Sequence, residues 1–210
     1  MKFLNFDEVL CLSPHPDDVE YSMGITIQKH KDTKFNILCM SVGGEGDSTS
    51  NQHRIEEAEE FWKQFPCDNV QLHFHADHIT AAQEYEWVKL IETTYLRNAQ
   101  CIMSTSQYDT HPDHRMVGSI VMQLSRKNVM SIIEYRSPST TKDWTSNLTI
   151  PIDDSELHCK IEALRSSFLS QIDALYFEPK IIESFHVDFY DFKRGISTGE
   201  FFRIGQLNYF

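Results

Sequence analysis

The sequence predicts an α/β fold: one domain on a mostly parallel, Rossmann-like sheet with helices on both faces. Two observations carry that expectation. Short apolar runs alternate with segments of helical periodicity, the order that right-handed β-α-β crossovers produce. The chain has 210 residues, 40% of them hydrophobic, enough to bury one core. No repeat, low-complexity tract or composition break divides it, so residues 1–210 read as a single domain.

The first apolar run, 9–13, stops at Pro14-His15-Pro16, as a buried strand ending abruptly does. A helical stretch follows over 22–31. A second strand over 35–42 is cut by Gly43, Gly44 and Gly46. Ile55, Ala58, Phe61, Trp62 and Phe65 recur at helical spacing in a Glu-rich background, which makes 52–65 an amphipathic helix. Strands at 70–74, 100–104 and 131–135 and helices at 84–98 and 114–125 continue the alternation. The stretch 137–147 turns polar, carries Trp144, and reads as a long loop or flap. A last helix over 155–170 precedes an aromatic-rich tail.

Charge narrows the partners. Lys and Arg number 19 against 31 Asp and Glu, a formal charge of −12. That sign opposes binding to nucleic acid phosphates or to an anionic membrane surface. The five cysteines are scattered and never form a C-x-x-C pair, and Cys11, Cys39 and Cys101 sit inside apolar runs. This usage suits a reducing cytoplasm rather than a disulfide scaffold. Residues 1–12 carry Asp7 and Glu8 and do not resemble a signal peptide. No apolar run approaches the roughly 20 residues that span a bilayer. The expectation is a cytoplasmic protein acting on a small molecule.

Two polar clusters lie directly after predicted strands: Pro14-His15-Pro16-Asp17-Asp18 and Asp109-Thr110-His111-Pro112-Asp113-His114. In open parallel sheets ligands bind beyond the carboxyl ends of the strands, where loops distant in sequence converge. Two imidazoles and a carboxylate are a usual zinc set when a fourth position stays open for water. A second carboxylate, not bound to the metal, can then take the water's proton. Each cluster alone also fits a turn with a capping Asp, and Asp113 alone fits a helix N-cap. Two such segments at strand ends in one crevice favour the metal.

The motifs resemble those of the PIG-L/LmbE-like N-acetylglucosaminyl deacetylases, which carry a (P/A)-H-P-D-D motif after the first strand and an H-P-D-H-type motif after a later one. The resemblance extends to Gly44-Glu45-Gly46, to Arg54, Glu57 and Ala58, to Asp77, to residues 106–115, to Lys160-Ile161-Glu162-Ala163-Leu164, and to Gly199-Glu200-Phe201-Phe202-Arg203. It implies that His15, Asp18 and His114 bind zinc, with another divalent ion such as Fe2+ as the alternative. It makes Asp17 the general base and sets His111 beside the acetyl carbonyl as oxyanion donor. Asp113 would orient His111 or support the metal ligands. Glu45, Arg54 and Asp77 would lie at the sugar side of the pocket. One departure is Ser22-Met23-Gly24, where family members often carry paired glycines.

The implied activity is zinc-dependent removal of an N-acetyl group from an N-acetylglucosamine-type sugar or glycoside. Two alternatives remain: hydrolysis of another acyl amide or carbamoyl group, and a non-catalytic carbohydrate-binding protein. His73, His75 and His78 form a His-rich stretch better read as strand and loop residues than as a second metal site. Gly43-Gly44-x-Gly46 lacks the Lys and Ser/Thr of a phosphate loop. The aromatic tail reads as core or as a subunit contact in a homo-oligomer, with a sugar-stacking platform as the alternative. Trp144 reads equally as a substrate-stacking lid residue and as an anchor for its loop.

Overall fold

The computed structural model of the chain describes residues 1–42, 48–75, 80–127, 130–187 and 198–207. In chain order the elements are β1 (Glu8–Ser13), α1 (Asp18–Lys29), β2 (Lys34–Cys39), α2 (Ser48–Gln64), β3 (Val70–Phe74), α3 (Glu84–Leu90), β4 (Cys101–Ser104), α4 (Pro112–Lys127), β5 (Ser131–Tyr135), β6 (Leu148–Pro151), α5 (Asp154–Ser167), α6 (Pro179–Phe185) and β7 (Gly199–Gln206). The strands form one sheet in the order β3-β2-β1-β4-β5-β7-β6. β1 to β5 run parallel, and β7 is antiparallel to both β5 and β6. The chain leaves β1 toward β2 and β3 on one side, then returns to place β4 on the other. That reversal between β1 and β4 opens the crevice in which α/β proteins bind ligands.

Both faces of the sheet are covered, which is why the central strands are apolar throughout instead of alternating with polar residues. Val9 and Cys11 of β1 turn to one face and pack with residues of α1, α2, α5 and α6. Leu10 and Leu12 turn to the other face and pack with residues of α3 and α4. All residues of β4 are buried, whereas β3 and β6, at the two sheet edges, are at most half-buried. Among the described residues no helix is long and apolar enough to cross a membrane.

Several elements depart from the sequence expectation. α1 starts at Asp18 rather than at 22, because Met23 (φ −146°, ψ 19°) breaks the helix into two parts and the apolar period restarts there. The broken turn frees backbone donors, and Glu200 of β7 takes them: its carboxylate accepts from Ile25 N (3.0 Å) and Thr26 N (2.6 Å). The fully buried Lys160 ammonium neutralises Glu200 at 2.5 Å and donates to His186 Nε2 at 3.0 Å. Burial and the Lys160 charge hold the His186 imidazole well below its usual pKa, hence neutral. The helix expected over 84–98 is α-helical only to Leu90 and continues as a π turn over Ile91–Tyr95. α4 begins earlier than 114, with Pro112 in its first turn, where the missing N–H costs nothing. β6 and α6 escaped prediction because four and seven residues are too few to show a period.

Candidate active site

The segment after β1 turns sharply at its two prolines. Ser13 Oγ donates to His15 O (2.7 Å), and His15 N donates to Asp18 Oδ2 (2.9 Å), closing a tight loop at the start of α1. Asp17 caps this helix with φ 125°, a conformation costing about 1–3 kcal/mol for a residue with a Cβ. Its neighbours over-determine it. Arg54 of α2 donates to Pro16 O (2.6 Å) and approaches Asp17 Oδ2 at 3.4 Å, while Asp17 N donates to Glu20 Oε2 (3.2 Å). Glu20 is fixed in turn by the Trp62 indole N–H (2.7 Å). A strained residue held by so many partners is expected where function needs one orientation.

The second loop runs from β4 into α4. His111 N is held by Asp109 Oδ1 (2.9 Å), and His111 Nδ1 accepts from Asp113 N (3.2 Å). With Nδ1 accepting, the ring proton of neutral His111 sits on Nε2. Burial and the neighbouring His114 and His15 hold His111 below its usual pKa. Thr105 Oγ1 donates to His114 O (3.0 Å) and so fixes the first turn of α4. Gly118 lies one turn beyond His114. A Cβ there would come within 2.2 Å of Gln107 N, so α4 rests directly on the loop backbone.

The two loops meet at the Asp18 carboxylate. Its Oδ2 lies 3.3 Å from His15 Nδ1, and its Oδ1 lies 3.2 Å from His114 Nε2. Bonds of about 2.0–2.1 Å to N and O donors set neighbouring ligands of a tetrahedral ion about 3.3 Å apart. The donor types therefore fit a divalent ion, and each ring lies at ligand-to-ligand distance from one of the two Asp18 oxygens. The outer ring nitrogens are also engaged. His15 Nε2 bonds Asp113 Oδ2 (2.9 Å), and His114 Nδ1 lies 3.1 Å from Ser139 Oγ and 3.5 Å from Asp109 Oδ2. A carboxylate behind each imidazole is the usual support of a metal-binding histidine. The ring nitrogens of His15, His111 and His114 also lie within 4.8 Å of one another, close enough to share an ion.

Charge follows this geometry. Burial opposes the cationic imidazoles, but Asp113 and Asp18 push His15 up to about 9, and Asp18 and Asp109 push His114 up to about 10. Burial alone would raise Asp18, yet the two histidines hold it well below the usual carboxylate range. Asp17 moves the other way. Burial and the Asp18 charge outweigh Arg54 and His15 and bring it to about 6.

The cluster lies at the floor of a cleft of about 1540 Å3. His15, Asp17, Asp18, His111, His114 and Arg54 all line it. Arg54 does so with its guanidinium engaged by Asp17, Pro16, Glu57 and Ser170. The Asp113 carboxylate turns toward the β1 loop and supports His15, while its backbone N–H meets the His111 ring. Glu45, Asp77 and His78 lie outside the described residues. His73 and His75 stand edge-on to Tyr95 and Trp87. Trp144 does not line the cleft; its Nε1 donates to Glu134 Oε2 of β5 (3.0 Å), while Pro138 and Ser139 of the same loop do reach the cleft. Sequence reasoning missed a role for Asp109, whose partners Ser137 and Thr140 come from a loop about thirty residues away.

A family model described as PIG-L, GlcNAc-PI de-N-acetylase, matches residues 10–125, a span that contains both loops. The chain belongs to the PIG-L family. No curated protein matches it significantly by sequence. Among solved structures it is similar to N,N'-diacetylchitobiose deacetylase from Pyrococcus horikoshii, with a TM-score of 0.69 and 22% identity over 96% of this chain and 85% of that one. It is also similar to a zinc-inhibited form of teicoplanin deacetylase Orf2 (TM-score 0.66, 10% identity, 94% and 97% covered). The 4-carboxy-2-hydroxymuconate hydratase GalB from Pseudomonas putida KT2440 matches with a TM-score of 0.71 and 12% identity over 100% and 98%. These likenesses establish the fold. Because the same fold carries deacetylases and a hydratase, the activity of this PIG-L member has to be argued from its site.

Proposed function

We propose that this chain removes the N-acetyl group from an N-acetylglucosamine-type sugar or glycoside with the aid of a divalent ion held by His15, Asp18 and His114. The observation that carries the reading is the placement of the Asp18 carboxylate between His15 and His114 on the cleft floor, with Asp17 beside it. The ion, zinc by its donor set with Fe2+ as the alternative, would supply a Lewis acid and bring the pKa of a water to about 7. Asp17 takes a proton from the attacking water as the new C–O bond forms at the acetyl carbon. His111 donates from Nε2 to the carbonyl oxygen as negative charge develops there. When the C–N bond breaks, the proton passes to the nitrogen, and acetate and a free amine leave. Arg54 holds Asp17 in place throughout, and Asp113 and Asp109 fix the rings of His15 and His114. Glu45 and Asp77 are assigned to the sugar side with Arg54.

Metal analysis combined with acetate release from a panel of N-acetylated glycosides tests this. The wild-type protein should carry a divalent ion and release acetate, loaded with zinc or with Fe2+. His114→Ala should lose the ion. Asp17→Asn should keep it and lose about 10²–10⁴-fold in turnover, the usual cost of removing a general base. An ion retained with no acetate release from any N-acetyl sugar would move the reading to another acyl amide or a carbamoyl group.

A further inference from the structure

We infer that the cleft also seats the substrate's aglycone, and that this aglycone presents an apolar face and carries no negative charge. The inference rests on the deacetylase reading above. At about 1540 Å3 the cleft exceeds the roughly 300–1,000 Å3 typical of a small-ligand pocket, so one sugar ring leaves much of it unfilled. Its two walls differ in character, and each limits what can lie against it.

One wall is the segment from the end of α5 into α6. Phe168, Phe177 and Ile182 of this segment turn inward and are fully buried, which secures it to the core. Leu169, Leu175 and Ile181 turn into the cleft and are 65%, 74% and 39% exposed. Single exposed apolar residues need no explanation, but three lining one concavity mark a binding surface. Beside it and joined to it runs α2, whose Glu57 accepts from Ser170 N and Oγ (2.6 Å each), and there Glu56, Glu57, Glu59 and Glu60 outnumber the cations Arg54 and Lys63. Arg54 is committed to Asp17 and Glu57, and Lys63 pairs with Glu60 at 3.5 Å. A phosphate or carboxylate entering here meets uncompensated negative charge, and the net charge of −12 adds to it. Hydroxyls and an ammonium suit this wall. Both walls continue onto the catalytic floor within one cleft, so their occupant is a part of the same ligand that places its acetyl group there.

The test compares N-acetylglucosaminides bearing methyl, octyl, ω-amino-octyl and ω-phospho-octyl aglycones, by kcat/KM and by calorimetric Kd, in the wild type and in the Leu169→Ser/Leu175→Ser double variant. Each fully covered methylene is worth about fourfold. The octyl glycoside should therefore exceed the methyl glycoside by at least about tenfold, with the amino form equal or better and the phospho form at least about tenfold worse than octyl. In the double variant the octyl-to-methyl ratio should fall toward one at an unchanged Tm. If no glycoside releases acetate, the deacetylase reading fails, while the calorimetric ratios still decide the aglycone subsite. A wild-type ratio near one overturns the inference. So does an unchanged ratio in a double variant that dissociates a dimer, leaves neutral vesicles or loses Tm, since the leucines would then serve a second copy, a membrane or the chain's own packing.

Discussion

His15 faces the cleft floor through Nδ1 because Asp113 occupies its Nε2 at 2.9 Å. The ring cannot rotate to present the other nitrogen without abandoning that carboxylate. Asp113→Ala should therefore weaken metal affinity by about 10–100-fold, measured by competition with a chelator, although every proposed ligand stays in place. Asp113→Asn still offers an oxygen to the ring N–H and should retain most of the affinity. Unchanged affinity with reduced turnover in the Ala variant would return Asp113 to a role on His111. At this scale the two His-Pro-Asp segments were legible because prolines, paired carboxylates and strand ends coincide in a few residues. Which carboxylate backs which ring was not legible. That depends on side-chain direction across contacts as distant as the 98 residues between His15 and Asp113.

Among the elements, α4 positions His114, and Gly118 sets how closely α4 approaches the 106–107 backbone. Gly118→Ala gains up to about 1 kcal/mol of helix propensity. The new methyl must displace loop backbone that does not yield easily, an overpacking cost of about 1–3 kcal/mol. The cost wins, and because residues 114 and 118 share a helix face, the shift reaches the His114 ring. The expected result is a lower Tm together with weaker metal binding, read by thermal denaturation with and without added ion. A higher Tm would mean that the loop yields freely. Trp144 separates its two readings in the same way. Its indole is tied to Glu134, which also pairs with Arg203 at 2.5 Å. Trp144→Ala should lower stability by about 2 kcal/mol, less than the about 3–5 kcal/mol of a fully buried Trp, at an unaltered KM. A raised KM at constant Tm would restore the lid. Long periodic segments such as α2 were visible in the sequence. The kink in α1 was not, because the partner that makes it tolerable, Glu200, lies 175 residues from Ile25.

For the whole molecule, the sheet order puts β1 and β4 at the centre and β3 and β6 at the edges. Backbone amides of β1 and β4 should be the slowest to exchange with deuterium, and those of β6 and β3 the fastest of the strand amides, since local opening takes the least-buried pairing first. Equal protection across the sheet would show that it opens only as a unit. The parallel order was legible from alternation alone, whereas the antiparallel insertion of β7 between β5 and β6 was not, because no local signal fixes which edge a returning strand joins. The central reversal also bears on how the protein is made. His15 and Asp18 leave the ribosome before His114, the imidazole that would complete their proposed set, which follows nearly a hundred residues later. Until β4 has emerged and docked beside β1, a nascent chain would offer an ion only two of the three proposed ligands, and an ion bound there would be easily lost to competing ligands in the cell. On the proposed ligand set, metal capture would be a late event that reports the correct assembly of the first half of the sheet.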